Sequence, residues 1–172
     1  LNGKDFMMQT VHQAVLLNEV VSYLKENLDI QKQSLVFDGT LGGAGHSFAI
    51  LEQLPNAFLI GVDRDLSAVT RSQQRLATFA QRYFLSQANF SEIKEVINSL
   101  PSEVKEKITN SSYPLLDRIV LDLGISSDQL DDPKRGFSFM QTGPLDMRMN
   151  QEEENSAETI LNTASEHELR KI

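Results

Sequence analysis

The chain has 172 residues, of which 40% are hydrophobic and 23% charged, a composition typical of one soluble globular domain. Its formal net charge of −8 argues against unaided binding to nucleic acid, because phosphate contacts need Lys and Arg. The absence of cysteine excludes disulfides, cysteine-ligated zinc, iron–sulfur clusters and a thiolate nucleophile within these residues.

Helix and strand patterns alternate along the chain as far as Leu123. Continuous apolar runs predict four strands, of the kind found in a parallel sheet covered on both faces: Leu35–Asp38, Phe58–Asp63, Tyr83–Ser86 and Arg118–Leu123. Segments with apolar residues at helical spacing separate them, and Asn18, Asp65 and Ser91 are predicted helix caps. Strands separated by helices of about 10 to 15 residues indicate βαβ units, and hence an α/β fold.

The periodicity stops after Leu123, and residues 124–150 show neither a helical nor a strand repeat. Loops of this length in compact domains are usually functional or disordered. Apolar residues within this loop, among them Phe137, Phe139 and Met149, argue against disorder. Beyond the loop, Ser156 and Ser165 are predicted to cap two short helices.

A glycine-rich turn, Gly39–Gly45, joins the first predicted strand to the following helix. Such a turn suits a nucleotide-like ligand, although it can also simply pack a helix on a sheet. The dinucleotide spacing Gly-x-Gly-x-x-Gly fails, because reading from Gly43 its third position is Phe48. A Walker-type phosphate loop is excluded as well, since no Gly-Lys-Ser/Thr follows.

Acidic residues at the ends of the predicted strands refine the ligand. Asp38 faces the turn, where a carboxylate would repel a pyrophosphate but attract the ammonium and sulfonium of S-adenosylmethionine. Asp63 ends the second strand about 20 residues after Gly42, where an acidic residue binds ribose hydroxyls; its alternative role is to cap the next helix. Phe90 packs on the adenine or is an ordinary core aromatic residue. Asp122 ends the fourth strand, where we expect a buried carboxylate to need partners.

Longer segments are similar to one known family. Residues 12–21, 38–47 and 63–65 resemble the opening segment, the cofactor turn and the second-strand motif of the RsmH (MraW) family. Members of that family are methyltransferases that modify N4 of a cytidine in small-subunit ribosomal RNA. Residues 122–139 and 143–149 match the central signature of the family almost throughout, and the resemblance runs from His12 to Ile172.

The resemblance implies a Rossmann-like class I methyltransferase fold, S-adenosylmethionine as cofactor, and 16S rRNA of the small ribosomal subunit as partner, with the target cytidine in the decoding centre. Ala44 stands where the family often has glycine, and Ala14 where it commonly has proline. Together with Asp38 and Gly42 from the turn, the cofactor contacts that the resemblance implies fall on Ala44, Gly45, His46, Asp63, Phe90, Asp122 and Gln129. Methylation at a pyrimidine ring carbon normally needs a thiolate, so its absence predicts a nitrogen or an oxygen as the acceptor atom on a nucleobase.

The general base stays open between Asp122 and Asp146. Many amino-methyltransferases carry a Pro-Pro-aromatic motif after this strand, whereas this chain has Leu-Gly-Ile. The target base must leave its stack, and either Phe137 or Phe139 would receive it, the alternative being that these rings pack within the loop. Two cations complete the predicted substrate loop, Arg135 and Arg148.

The predicted organisation has three parts: an N-terminal extension (1–10), the N-terminal part of the methyltransferase domain (11–150) and the start of a helical insertion (151–172). Because the family's sheet is larger, the chain is expected to be a truncated and inactive fragment. Ile119–Leu123 would form an apolar edge that pairs with a neighbouring molecule, as in a homodimer, or is otherwise covered. An edge that is both exposed and unpaired would count against four strands.

Two other functional classes remain open. A methyltransferase acting on a small molecule or a protein would share the cofactor half and suit the acidic charge, and a non-catalytic S-adenosylmethionine-binding module would describe an inactive fragment. The scattered histidines give no reason to expect a metal. No apolar run approaches the roughly 18 residues of a membrane helix, and the first residues do not resemble a secretory signal. We therefore expect no membrane partner and a cytoplasmic location.

Overall fold

The computed structural model describes residues 14–108 and 116–172. Within them, four parallel strands form one sheet: β1 (Ser34–Asp38), β2 (Ala57–Asp63), β3 (Tyr83–Gln87) and β4 (Arg118–Val120). Their order across the sheet is β3-β2-β1-β4, so the chain crosses back from the β3 edge to place β4 beside β1. The predicted α/β fold with a parallel sheet is confirmed. The predicted extension at residues 1–10, and His12 of the opening segment, lie outside the described residues.

Helices connect and cover the strands. Their bounds are α1 (Leu17–Lys25), α2 (Gly45–Gln53), α3 (Leu66–Arg75), α4 (Ile93–Ser99), α5 (Ser102–Ile108), α6 (Ser127–Asp131), α7 (Ala157–Thr163) and α8 (Glu166–Leu169). Among the described residues, no helix is both long enough and apolar enough to cross a membrane.

The core lies on both faces of the sheet because side chains alternate along each strand. Val36 and Leu59 point to one face and pack with α1 and α2. Phe37 and Ile60 point to the other face and pack with α4 and α5. Strands covered on both sides have no solvent-facing positions, which explains why β1 and β2 are apolar without alternation.

All four strands end at the same edge of the sheet. Asp38 pairs in register with Gly61 and Val120, and Asp63 pairs with Gln87. The segments that follow β1, β2, β3 and β4 therefore converge there, and this edge is where ligands bind in open α/β sheets.

Two predicted helix caps are wrong. α1 begins at Leu17 after Leu16, which adopts a left-handed conformation, so Asn18 lies inside the helix. Ser91 lies within a 3-10 turn (Phe90–Glu92) that is capped by Asn89, because the Asn89 side chain accepts from Ser91 N and Glu92 accepts from Asn89 N. The Asp65 cap is confirmed, since its carboxylate accepts from Ser67 N at 2.9 Å.

The fourth strand is shorter than predicted. It ends at Val120, because the next backbone donor, Asp122 N, bonds to the Thr40 hydroxyl at 2.7 Å. Among the described residues β4 is an edge strand; Ile119 within it is 54% exposed, and Leu123 beyond its end is 67% exposed. An exposed edge would count against a four-stranded sheet, but the structure has four strands together with exposed side chains at this edge. A homodimer through this edge stays a prediction.

Residues 124–150 are more regular than predicted. They contain α6 and a 3-10 turn (Pro133–Arg135). Short side-chain caps start both elements: Ser126 forms a capping box with Gln129, and Asp132 accepts from Lys134 N. Elements this short have too few residues for an apolar period, so the sequence pattern does not show them.

Candidate cofactor and substrate site

The buried side chain of Asp38 stabilises the turn after β1. This side chain is only 1% exposed; its carboxylate accepts from Thr40 N at 3.1 Å and from the Ser47 hydroxyl at 2.5 Å. Burial raises the pKa of Asp38, and these two donors only partly offset that effect. In this structure both Asp38 oxygens accept hydrogen bonds from the protein, one from the turn and one from the first turn of α2. Direct contact between Asp38 and a ligand stays a prediction.

The outer side of the same turn is open. A Cβ added at Gly42, where φ is +49°, would meet nothing within 4 Å. Ala44 caps α2 in a left-handed conformation and supplies no side-chain acceptor. The first N–H groups of a helix have no partner within the helix, and they attract anions. The start of α2 at Gly45 and His46 is therefore suited to a carboxylate such as that of an amino-acid ligand.

Asp63, at the end of β2, faces this turn. Its carboxylate accepts from Gly42 N at 2.9 Å and from Asp65 N at 2.9 Å. Burial raises the pKa of Asp63, and the two N–H donors do not reverse that shift. The helix α3 is capped by Asp65 rather than by Asp63, so the capping alternative for Asp63 is wrong. Ribose binding by Asp63 stays a prediction.

Gly39 lies where the segments after β1, β3 and β4 meet. A Cβ at this position would lie 2.7 Å from the Phe90 Cβ and 2.5 Å from a methyl group of Leu121. Phe90 is 37% exposed, so its ring is only partly packed. The exposed part of Phe90 lies at the edge where a ligand would bind; packing of adenine on this ring stays a prediction.

Asp122 is exposed rather than buried. Half of its side chain is accessible (51%), and its carboxylate lies 3.8 Å from His46 Nδ1. His46 is fixed from its other nitrogen, since Nε2 lies 3.0 Å from the carbonyl oxygen of Val15. The expectation of a buried carboxylate is wrong, because the chain leaves the sheet at Val120. What remains is a solvent-accessible carboxylate beside the start of α2.

The loop of residues 124–150 folds back onto the start of α3. Arg135 Nη1 lies 2.6 Å from the Asp65 carboxylate, and Gln129 Nε2 lies 3.2 Å from it. Burial alone would raise the pKa of Asp65, but hydrogen bonds from Ser67, Arg135 and Gln129 together lower it. Contacts of Gln129 with the cofactor and of Arg135 with RNA stay predictions, and the partners these side chains have here argue against both.

The two predicted stacking residues have opposite surroundings. Phe137 is 7% exposed and lies under the Arg135 guanidinium at 5.9 Å, so its ring packs within the loop. Phe139 is 102% exposed, beside Met140 at 92%. The structure therefore favours Phe139 over Phe137 as a ring that can receive a base.

Arg148 is paired within the loop. Its Nε and Nη2 each lie 2.8 Å from an oxygen of Asp146, and Nη1 donates to the Glu153 carbonyl oxygen. This pairing lowers the pKa of Asp146 to about 2. A carboxylate with so low a pKa is a weak proton acceptor near neutral pH. The geometry thus favours Asp122 over Asp146 as the base, and leaves Arg148 little capacity to bind phosphate.

The variant Asp146→Asn should lower the free energy of unfolding by about 1–2 kcal/mol at pH 7, less than the full shift implies because the side chain is 15% exposed. The pKa of Asp146 in the folded protein lies below 3.8, the ordinary value for an aspartate. The stabilisation is therefore complete above that value and is lost as pH falls towards 2. Urea unfolding of wild type and Asp146→Asn at several pH values measures the difference in unfolding free energy. This difference should become smaller as pH falls from about 4 towards 2. The exposed Asp131→Asn should stay within about 0.5 kcal/mol of wild type, and an equally small change for Asp146→Asn would contradict the assignment.

Some residues that shape the site are not among the predicted site residues. Ser47 and Thr40 anchor Asp38 and Asp122, as described above, and Arg75 Nη1 donates to the Gly43 carbonyl oxygen at 2.6 Å. Ala14 also reaches the site: a Cβ on Gly45 would lie 2.8 Å from the Ala14 Cβ. Among the described residues, no group of three or more His, Asp or Glu side chains is arranged to hold a metal ion.

A parallel α/β sheet, a glycine-rich turn after β1 and a carboxylate at the end of β2 together define a Rossmann-like fold with a site for a nucleoside-containing ligand at the carboxyl ends of its strands. A profile of the MraW methylase family matches residues 9–172. The chain belongs to that family.

Curated relatives agree with this assignment. The chain is 40% identical over 167 residues to the Ribosomal RNA small subunit methyltransferase H of Chlorobium phaeobacteroides, covering 94% of this chain and 47% of the relative. It is 42% identical to that of Clostridioides difficile, covering 96% and 49% respectively. The chain thus spans about half the length of the curated relatives it matches. The chain is only distantly similar to a solved structure, a precorrin-6y C5,15-methyltransferase of Geobacter metallireducens. The TM-score is 0.34 and the identity 22%, over 44% of this chain and 43% of that one.

Proposed function

We propose that the chain supplies the cofactor-binding part of an S-adenosylmethionine-dependent enzyme that methylates N4 of a cytidine in the decoding centre of 16S rRNA, in the cytoplasm. The observation that carries this proposal is the identity of about 40% along nearly the whole chain to relatives named as ribosomal RNA small subunit methyltransferases. A parallel sheet whose turn and acidic strand ends suit that cofactor supports it.

The described residues fit S-adenosylmethionine. The uncapped start of α2 at Gly45 and His46 would hold its carboxylate, and the open side of Gly42 leaves room for it. Asp63 would bind the ribose hydroxyls, and Phe90 would pack on the adenine. The cofactor supplies an electrophilic methyl group on a positively charged sulfur.

Cytosine N4 is a weak nucleophile because its lone pair is delocalised into the ring. A carboxylate that accepts one N4–H hydrogen bond orients that lone pair, and it takes the proton once the new N–C bond has formed. Asp122 is the candidate for this role, since its backbone is held by Thr40 and half of its side chain is accessible. That accessibility lets the proton pass on to solvent.

Charge remains the main constraint on RNA binding. Of the three cations in residues 124–150, Arg135 and Arg148 are already paired with Asp65 and Asp146. The phosphate contacts of the proposed enzyme would therefore come mainly from outside this loop.

In the direct test, the complete gene product that contains the chain is incubated with radiolabelled S-adenosylmethionine and undermethylated small ribosomal subunits. Label should enter 16S rRNA and be recovered as N4-methylcytidine after digestion. Label in a metabolite or a protein instead would favour the small-molecule or protein methyltransferase. Cofactor binding without transfer to any of these substrates would favour the binding module.

The variant Phe139→Ala should raise the KM for small subunits roughly tenfold, because stacking of a base on an aromatic ring contributes about 1–3 kcal/mol. Stability should change by less than about 0.5 kcal/mol, since the ring is exposed. Phe137→Ala is the matched control, with an expected loss of about 3 kcal/mol of unfolding free energy because that ring is buried. An unchanged KM for Phe139→Ala would exclude base stacking on this ring.

A further inference from the structure

A continuous set of hydrogen bonds runs from the cofactor turn to the substrate loop. Gly42 N donates to Asp63, and Asp63 also accepts from Asp65 N. Asp65 Oδ2 in turn accepts from Arg135 Nη1 at 2.6 Å and from Gln129 Nε2 at 3.2 Å. The segment from Asp63 to Asp65 therefore contacts the proposed ribose site on one side and the loop on the other.

Arg135 also holds the far end of the loop. Its Nη2 donates to the carbonyl oxygens of Arg148 and Met149, both at 3.0 Å, and its own carbonyl accepts from Met147 N at 3.0 Å. One side chain thus joins the 3-10 turn at 133–135, the backbone of Arg148 and Met149, and the N-cap residue of α3. We call Asp65, Gln129 and Arg135 the clamp.

The clamp is buried, with 4% of Asp65 and 6% of Arg135 exposed. Buried ion pairs contribute little net stability compared with apolar pairs of the same size, because desolvation offsets the attraction. Arg135 moreover leaves its Nε buried without a hydrogen-bond partner in the described part of the chain. Separating the two partners would instead leave a buried charge without its counter-ion, so the pair disfavours arrangements in which the loop leaves α3.

We propose that the clamp positions the loop of residues 124–150 against the cofactor site, so that Arg135 is a positioning residue for methyl transfer and not a phosphate ligand. The inference rests on the proposed function. It predicts that breaking the clamp lowers kcat while the cofactor still binds, because the reacting groups are misplaced but the turn, α2 and Asp63 remain.

Two variants break the clamp from opposite sides. Arg135→Met removes the donor. Asp65→Asn keeps Oδ1 as the acceptor that caps α3 but puts an amide NH₂ where Oδ2 now accepts from Arg135 and Gln129. Arg135→Lys can keep the ion pair but not both carbonyl contacts. Arg64→Met is the matched control, since it removes the more exposed Arg64–Glu153 pair, which ties the same 63–65 segment to a residue just beyond the loop.

In the complete gene product, Arg135→Met and Asp65→Asn should each lower kcat about 30-fold, with the dissociation constant of S-adenosylmethionine within about threefold of wild type. Arg135→Lys should recover part of kcat, and Arg64→Met should match wild type. A purely structural role would instead lower the active fraction and leave kcat per folded molecule unchanged. Wild-type kcat in both clamp variants would overturn the inference.

Hydrogen exchange of the same proteins gives a readout that does not depend on activity. Amides of residues 127–149 should exchange at least about tenfold faster in both clamp variants, while those of β1 and β2 stay protected. If wild type neither binds the cofactor nor transfers methyl groups, the proposed function fails. Hydrogen exchange then still tests whether the clamp holds the loop in place. Unchanged exchange in residues 127–149 would overturn the clamp whatever the activity.

Discussion

Replacing Asp63 with alanine is expected to weaken S-adenosylmethionine binding about 100-fold, because two hydrogen bonds from the ribose to a charged acceptor are lost. The same change removes the acceptor for Gly42 N and Asp65 N, which loosens the turn that would receive the carboxylate of the cofactor. Titration calorimetry on the complete gene product measures the dissociation constant directly.

Asp63→Asn is the matched control for that experiment. It keeps one oxygen acceptor and the volume of the side chain but not the charge, so we expect an intermediate loss of about tenfold. Circular dichroism should show that both variants retain the sheet. Binding of S-adenosylmethionine to Asp63→Ala within threefold of wild type would show that the cofactor assignment is wrong.

Gly136→Ala is expected to lower the free energy of unfolding by about 2–4 kcal/mol and methyl transfer by about 100-fold. Gly136 has φ +72°, and an added Cβ would lie 2.2 Å from the Pro144 carbonyl oxygen and 2.9 Å from Asp146 N. Both are backbone atoms, so neither can rotate away. To make room for the added methyl group, the segment at 144–147 must move away from Arg135 and Gly136. The hydrogen bond from Met147 N to the Arg135 carbonyl oxygen is then lost.

Gly124→Ala separates backbone strain from steric overlap. Gly124 lies in the same loop, also at positive φ (+151°), but an added Cβ would meet nothing within 4 Å. We expect a loss of about 1–2 kcal/mol for this control, from the conformation alone. Urea unfolding and initial transfer rates compare the two variants. Equal effects on both would show that the contact of Gly136 with Pro144 is unimportant.

The local sequence determined the elements of this protein and its cofactor turn. Apolar runs placed the four strands, although β4 ends three residues earlier than predicted, and Asp65 was recognisable as a cap. The glycine turn and Asp63 were readable because backbone conformation and strand-end position depend on neighbours in the chain. Asn18 and Ser91 were misjudged as caps because Leu16 and Asn89, a few residues earlier, take that position.

Only the tertiary structure decided which loop residues face solvent and which hold the fold. Phe137 and Phe139 are the same residue type two positions apart, yet one is buried under Arg135 and the other is exposed. Asp65 and Arg135 meet across 70 residues of sequence, at a distance set by how the loop returns to α3. No local pattern encodes that pairing, because a side chain's burial and charge partner depend on segments brought together by the whole sheet.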